Sequence, residues 1–203
     1  MKVVVKMKII LASASKRRYE LMKLLKVPFE VIVSDEDEIY DLNKTLYEQC
    51  LDISYHKALN VYNKTEGNRI VIGSDTIVKF NNKVLGKPKN KEEAKSMLKE
   101  LSGNGHEVIT SVSMLIYKDG NYYEEKVYDI SKVYFDEISD YEIEKWVFEN
   151  DVCDMAGAYG IQEEFGKFVN KIEGNYYTIV GLPINIVYGM LKKYKINSCE
   201  CTK

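Results

Sequence analysis

The sequence predicts an α/β fold on a mixed sheet, and two observations carry that expectation. Strand-like and helix-like apolar patterns alternate along most of the chain. Two long strand patterns, His106–Tyr117 and Tyr122–Phe135, then follow one another across Asp119-Gly-Asn121, which reads as a hairpin turn. Alternation by itself would give a parallel sheet. The hairpin makes the sheet mixed, with helices flanking it.

The elements follow in chain order. The apolar run Met7–Leu11 reads as a buried strand, and the spacing of Leu21, Leu24 and Leu25 reads as one face of a helix capped by Ser13 or Ser15. A strand near Phe29–Val33 leads into the acidic loop Ser34-Asp-Glu-Asp-Glu38. A helix is expected over Lys44–Tyr62, a strand over Arg69–Phe80, a turn at Asn81-Asn82 and a helix over Lys91–Leu101. After the hairpin come a helix at Tyr141–Glu149, a segment rich in glycine and aromatics, and a last helix starting near Pro183, a residue suited to a first helical turn.

Composition bounds the function. The 203 residues allow one large domain or two small lobes, with 45% apolar and 30% charged residues and a net charge of −2. That balance excludes a nucleic-acid coat and a membrane-surface protein, so any polyanion must be met by a local cluster of cations. Lys6 and Lys8 break the apolar start that a signal peptide would need, and no run reaches membrane-spanning length. Cys50, Cys153, Cys199 and Cys201 lack framework spacing, which suits a reducing cytoplasm. Cys199-Glu-Cys201 has no matching Cys or His pair, so residues 197–203 read as a disordered tail with free thiols.

Several residues stand where structure alone would not put them. Arg17 and Arg18 fall in the first turn of a helix, where the macrodipole disfavours cations. They make sense there if an anion binds the free backbone N–H groups, although two solvated arginines would look the same in sequence. Lys57 sits in the apolar stripe Leu46, Cys50, Ile53, Lys57, either snorkelling or turned inward onto a partner. Asp75 interrupts the strand run Ile70–Val78, and a buried carboxylate requires a cation, a metal or donors. The acidic loop with Glu38 offers hard oxygen ligands, or is a solvated loop. Lys87 is fixed between Gly86 and Pro88, without P-loop spacing. Gln162 ends a glycine-containing run and has the donor–acceptor pair that reads a base edge. His56 and His106 join no nucleophilic triad. Together, the cations Arg17, Arg18, Lys57 and Lys87 with the carboxylates Glu38 and Asp75 are the inventory for a metal-bound polyphosphate.

The ordered motifs resemble the Maf family of nucleoside triphosphate pyrophosphatases. They are Leu11-Ala-Ser-x-Ser-x-Arg-Arg18, Asp37-Glu38, Lys57-Ala58, Ser74-Asp-Thr-Ile-Val78, Gly86-Lys-Pro88, Leu98-x-x-Leu-Ser-Gly-x-x-His106, Tyr159-Gly-Ile-Gln162, and the run from Ile172-Glu-Gly174 to Gly181-Leu-Pro183. The resemblance implies an elongated, two-lobed fold related to inosine triphosphatase, with flanking helices and a central cleft, as one domain over residues 1–203. It implies release of pyrophosphate from a nucleoside triphosphate with Mg²⁺ or Mn²⁺. Its functional positions fall on Ser13, Arg18, Glu38, Lys57, Asp75, Lys87 and Gln162, with Glu38 and Asp75 toward the metal. Thr76 beside Asp75, with Gln162, resembles the branch acting on dTTP and UTP, and Arg17 remains a substrate-side candidate. Alternatives are a non-catalytic nucleotide-binding regulator of cell division and a pyrophosphatase for 7-methyl-GTP or inosine-type nucleotides. The family often dimerises, which makes a homodimer an implied partner. Lys16 replaces a usual proline, and Glu163 stands where glycine is common, adding charge beside the expected base pocket.

Overall fold

The computed structural model describes residues 7–36, 41, 43–81 and 83–195. Glu38, Asn82 and the expected tail at 197–203 lie outside them. The elements are β1 (Lys8–Leu11), α1 (Lys16–Lys23), β2 (Glu30–Val31), α2 (Leu46–Asn63), β3 (Arg69–Phe80), β4 (Lys83–Leu85), α3 (Lys91–Leu101), β5 (Gly105–Lys118), β6 (Asn121–Phe135), α4 (Asp140–Glu149), β7 (Val169–Glu173), α5 (Tyr176–Val180) and α6 (Ile184–Lys193). Short 3₁₀ turns lie between α4 and β7.

The fold is mixed α/β. Among the described residues seven strands form one sheet in the order β2-β1-β3-β5-β6-β7, with β4 paired to β3. β1 runs parallel to both β2 and β3, whereas β3–β4 and β6–β7 are antiparallel. The mixed sheet expected from the hairpin is therefore present. Among the described residues no helix is long and apolar enough to cross a membrane.

By compactness the chain divides into two units. Among the described residues the first holds those of 7–75, 111–128 and 181–195, and the second holds those of 76–110 and 129–180. In the first unit Ile10 and Val71 from the parallel pair pack with Ala58, Val61 and Leu115, and Tyr55, Leu59 and Tyr62 of α2 lie against them. In the second unit Phe165 is fully buried among Phe135, Trp146, Tyr159 and Phe168, at ring-centroid distances of 5.0 to 5.9 Å. Trp146 Nε1 donates to the Ala158 carbonyl at 3.0 Å, which satisfies its polar edge inside that cluster.

Several local features correct the sequence reading. Of the two caps expected for α1, Ser15 is the one observed, accepting from the Arg18 backbone N–H. α2 starts at Leu46 behind a Thr45–Glu48 capping box, so Lys44 lies outside it. β2 is only two residues long, and both are exposed. Pro183 is the N-cap of α6 and Ile184 its first helical residue. α5 was not anticipated, because Tyr-Tyr-Thr-Ile-Val is strand-like by propensity; burial of Thr178, Ile179 and Val180 outweighs that preference. β4 and β7 are short and largely exposed, so neither produces a clear alternating pattern.

Candidate active site

The site begins with a glycine. Gly73 lies on β3 where that strand meets α2, and a Cβ there would stand 2.1 Å from the Ser54 carbonyl oxygen and 2.8 Å from the Ala58 nitrogen. Only a residue without a side chain lets strand and helix backbones approach this closely. Asp75, two residues on, shares the same strand face. Its side chain is 6% exposed, and Oδ1 accepts from Lys57 Nζ at 2.8 Å, with the lysine side chain 15% exposed. Lys57 is thus turned inward onto a partner, and Asp75 sits inside a continuous strand. Cys50, two helical turns before Lys57, places its sulfur 3.9 Å from Asp75 Oδ2. Burial, reinforced by the Asp75 charge, pushes the Cys50 thiol up to about 12, so it stays protonated.

A second group forms where β1 enters α1. Ser13, 8% exposed, accepts from the Ser15 backbone N–H at 3.2 Å and from Arg18 Nη1 at 3.4 Å. Arg18 Nε donates to the Gly181 carbonyl at 2.9 Å, and Ser74 Oγ shares its one proton between the Ser111 carbonyl at 2.8 Å and the Gly181 oxygen at 3.1 Å. Gly181 adopts φ +115°, the backbone region glycine favours. Arg18 is therefore held in one plane through Gly181, whose other donor, Ser74, directly precedes Asp75. The first turn of α1 has no acidic residue and carries Lys16, Arg17 and Arg18. Of the two arginines it is Arg18 that bridges Ser13 and Gly181. The described part of the acidic loop is tied to α2: Lys64 pairs with Asp35 at 2.5 Å, and Asn60 Nδ2 donates to Glu36 at 3.2 Å.

The remaining candidates lie in the second unit. Thr110 donates to the Thr178 carbonyl at 2.7 Å, which uses its one proton, so at 3.0 Å it accepts from Thr76 Oγ1. Thr178 in turn donates to Asp129. Lys87 pairs with Asp154 at 2.7 Å, both largely exposed, a contact that contributes little stability. Gln162 Nε2 donates to Glu163 Oε1 at 3.3 Å, so the residue standing where glycine was expected engages the amide. His106 serves structure: it is 3% exposed, its Nε2 lies 2.7 Å from Tyr159 Oη, and burial lowers it to about 4. Burial also raises Tyr159 far above its usual range.

The structure thus brings Ser13 and Arg18 together, and Lys57 and Asp75 together. Lys87 and Gln162 each stand with a local acidic partner in the other unit. Sequence reasoning missed Gly73 and Ser111, met Ser74 and Gly181 only as motif positions without a part, and passed over Cys50. Cys50 had one available signal, its place in the same stripe as Lys57. Among the described residues no group of three His, Cys, Asp or Glu side chains gathers as for a metal. Asp75 contributes hard carboxylate oxygens, which fit a hard cation such as Mg²⁺.

A family model described as Maf-like protein matches residues 8–194. A protein of Lachnoclostridium phytofermentans named dTTP/UTP pyrophosphatase is 44% identical over 93% of this chain and 96% of its own. One of Alkaliphilus oremlandii with the same name is 47% identical over 86% of this chain and 90% of its own. Among solved structures, the Staphylococcus aureus Ham1 protein aligns over 93% of this chain and 100% of its own, at 14% identity and a TM-score of 0.44.

Proposed function

This chain belongs to the Maf family, and from that premise we propose that it is a dTTP/UTP pyrophosphatase, a hydrolase that releases pyrophosphate from these nucleotides in a house-cleaning role. The observation that carries the reading is the buried Lys57–Asp75 pair, set in the same unit as Arg18 and Ser13. A regulator without turnover and enzymes for 7-methyl-GTP or inosine-type nucleotides are not favoured, because relatives at 44 and 47% identity carry the dTTP/UTP name.

Each residue has a part that its environment supports. Arg18 presents a planar cation whose orientation Gly181 fixes, suited to phosphate oxygens. Ser13 and the first backbone N–H groups of α1 supply neutral donors beside it. Arg17 adds charge in the same turn. Lys57 neutralises negative charge that grows as the leaving pyrophosphate departs, and Lys87 is a further phosphate cation that would have to exchange Asp154 for substrate. Asp75 orients, and takes a proton from, the water that attacks the α-phosphorus. Thr76 and Gln162 face the choice of base. We further propose that Asp75 and Glu38 hold a divalent cation, Mg²⁺ or Mn²⁺, which when bound would offset triphosphate charge.

The deciding experiment measures pyrophosphate release from UTP, dTTP, 7-methyl-GTP, ITP and the common nucleotides, with and without Mg²⁺. Turnover highest on UTP and dTTP is expected. No turnover on any nucleotide would favour a pure binder, and a maximum on ITP or 7-methyl-GTP would overturn the base assignment. A cytoplasmic location and a homodimer complete the proposal, the latter measurable by light scattering.

A further inference from the structure

β6 has one side paired and one side open. β5 lies along the first, and β7 covers the second only at Lys132–Phe135. Among the described residues no other strand joins β6 there, so residues 121–128 form an open sheet edge in the first unit. Such an edge presents backbone N–H and C=O groups that a strand of another chain can pair with. Tyr122, Tyr123 and Tyr128 lie along it, and all three are exposed. Aromatic residues are enriched where chains meet. On the face toward α2 the side chains are held in place: Tyr122 packs edge-on against Tyr62 with ring centroids 5.6 Å apart, Lys126 Nζ stands 3.5 Å over the Tyr55 ring, and Tyr128 stacks on Tyr47 at 5.2 Å.

The order of residues along the edge identifies what fits it. A two-fold axis normal to the sheet sets two copies of β6 antiparallel with the same faces up, so each residue opposes one from its own face. With the axis at Glu125, the α2 face becomes self-complementary. Tyr122 opposes Tyr128 of the second copy, and Glu124 opposes its Lys126. On the other face Tyr123 opposes Val127, an aromatic–β-branched pair. The two Glu125 side chains meet at the axis, but each already pairs with Lys193 and accepts from Tyr194 Oη at 2.7 Å in its own chain. An axis at Glu124 or at Lys126 opposes like charges and makes no Glu–Lys pair, so charge selects the register. We propose that this edge joins two copies of the chain, β6 to β6, in one continuous sheet. The proposal gives the homodimer its interface, rests on that oligomeric reading, and does not depend on which nucleotide is cleaved.

The test is analytical ultracentrifugation of the full chain over a dilution series around micromolar concentration, because an interface of one strand a side is small. Lys126→Glu and Glu124→Lys each set like charges against one another across the axis. Each is expected to raise the dimer dissociation constant at least about tenfold. The double variant Glu124→Lys/Lys126→Glu restores opposite charges and should dimerise like the wild type. Both positions are exposed, and circular dichroism checks that every variant is folded. Phe148→Ser, on the exposed side of α4, should leave the dissociation constant unchanged. A dimer that neither single reversal weakens, one that the double variant fails to restore, or one that Phe148→Ser dissociates instead refutes this edge and leaves the homodimer standing. A wild-type chain that is monomeric throughout the series refutes the edge and the homodimer together.

Discussion

Replacing Gly73 by alanine should damage stability and turnover together, for a reason that can be followed atom by atom. The added Cβ would sit 2.1 Å from the Ser54 carbonyl oxygen, 2.8 Å from the Ala58 nitrogen and 3.0 Å from the Ala58 Cβ. Ser54 and Ala58 are four residues apart within α2, so the methyl would press on helix backbone that no rotamer change can move aside. Relaxing that contact from 2.1 Å to an ordinary 3.4 Å requires a separation of roughly 1.3 Å between strand and helix. Overpacking of this kind costs about 1–3 kcal/mol, and the better strand propensity of alanine returns less than about 1 kcal/mol of it. A net loss of about 2 kcal/mol lowers the thermal midpoint of a chain this size by roughly 4–8 °C. The same displacement would open the 2.8 Å Lys57–Asp75 contact beyond hydrogen-bond length, and misplacement on the order of 1 Å can reduce turnover about 100-fold. Circular dichroism melting and pyrophosphate release on one preparation measure both. A Gly73→Ala protein with a wild-type midpoint and wild-type kcat would refute the claim that this close approach builds the site.

The other predictions concern charges. Asp75→Asn should lose on the order of 10²–10³ in turnover on UTP with Mg²⁺, and near-normal turnover would remove Asp75 from its assigned role. Arg18→Ala should lower kcat/KM at least about tenfold and Arg17→Ala only mildly, because Arg18 alone of the two bridges Ser13 and Gly181; equal, small effects would return both to a surface role. His106, depressed from 6.5 to about 4 by burial, binds its proton more tightly in the unfolded chain. Its stabilising contribution is present above pH 6.5 and is lost as pH falls toward 4, about 3 kcal/mol by linkage. Denaturant unfolding between pH 4 and 7 should show that slope, and His106→Asn should flatten it.

How much of this was legible in sequence depends on how local each cause is. β3 and α3 have the bounds their patterns predict, because a β-branched run and an Asn90-capped amphipathic helix determine themselves within their own segments. Lys57 and Asp75 were legible as misplaced charges, since a charge on an apolar face requires a partner, and each proves to be the other's. Cys50, Gly73 and Ser111 were not. A cysteine in an apolar stripe reads as core, a glycine in a strand reads as punctuation, and a serine in a strand has no distinguishing pattern. Their meaning comes from α2, β3 and β5 meeting, which no local window contains. α5 was not anticipated for the same reason, since three buried side chains outweigh the propensities of five residues.

The Gly181 carbonyl also bears on binding thermodynamics. It accepts from both Arg18 and Ser74, so the rotamer freedom that an arginine loses on clamping an anion, up to about 2 kcal/mol, is in part already given up when the chain folds. An anion arriving at Arg18 meets a guanidinium that needs little further ordering. If Arg18 takes phosphate as proposed, affinity at this cation is linked to the left-handed backbone at residue 181, and a substitution there that swings the carbonyl away would weaken that binding through entropy while leaving every charge in the site unchanged.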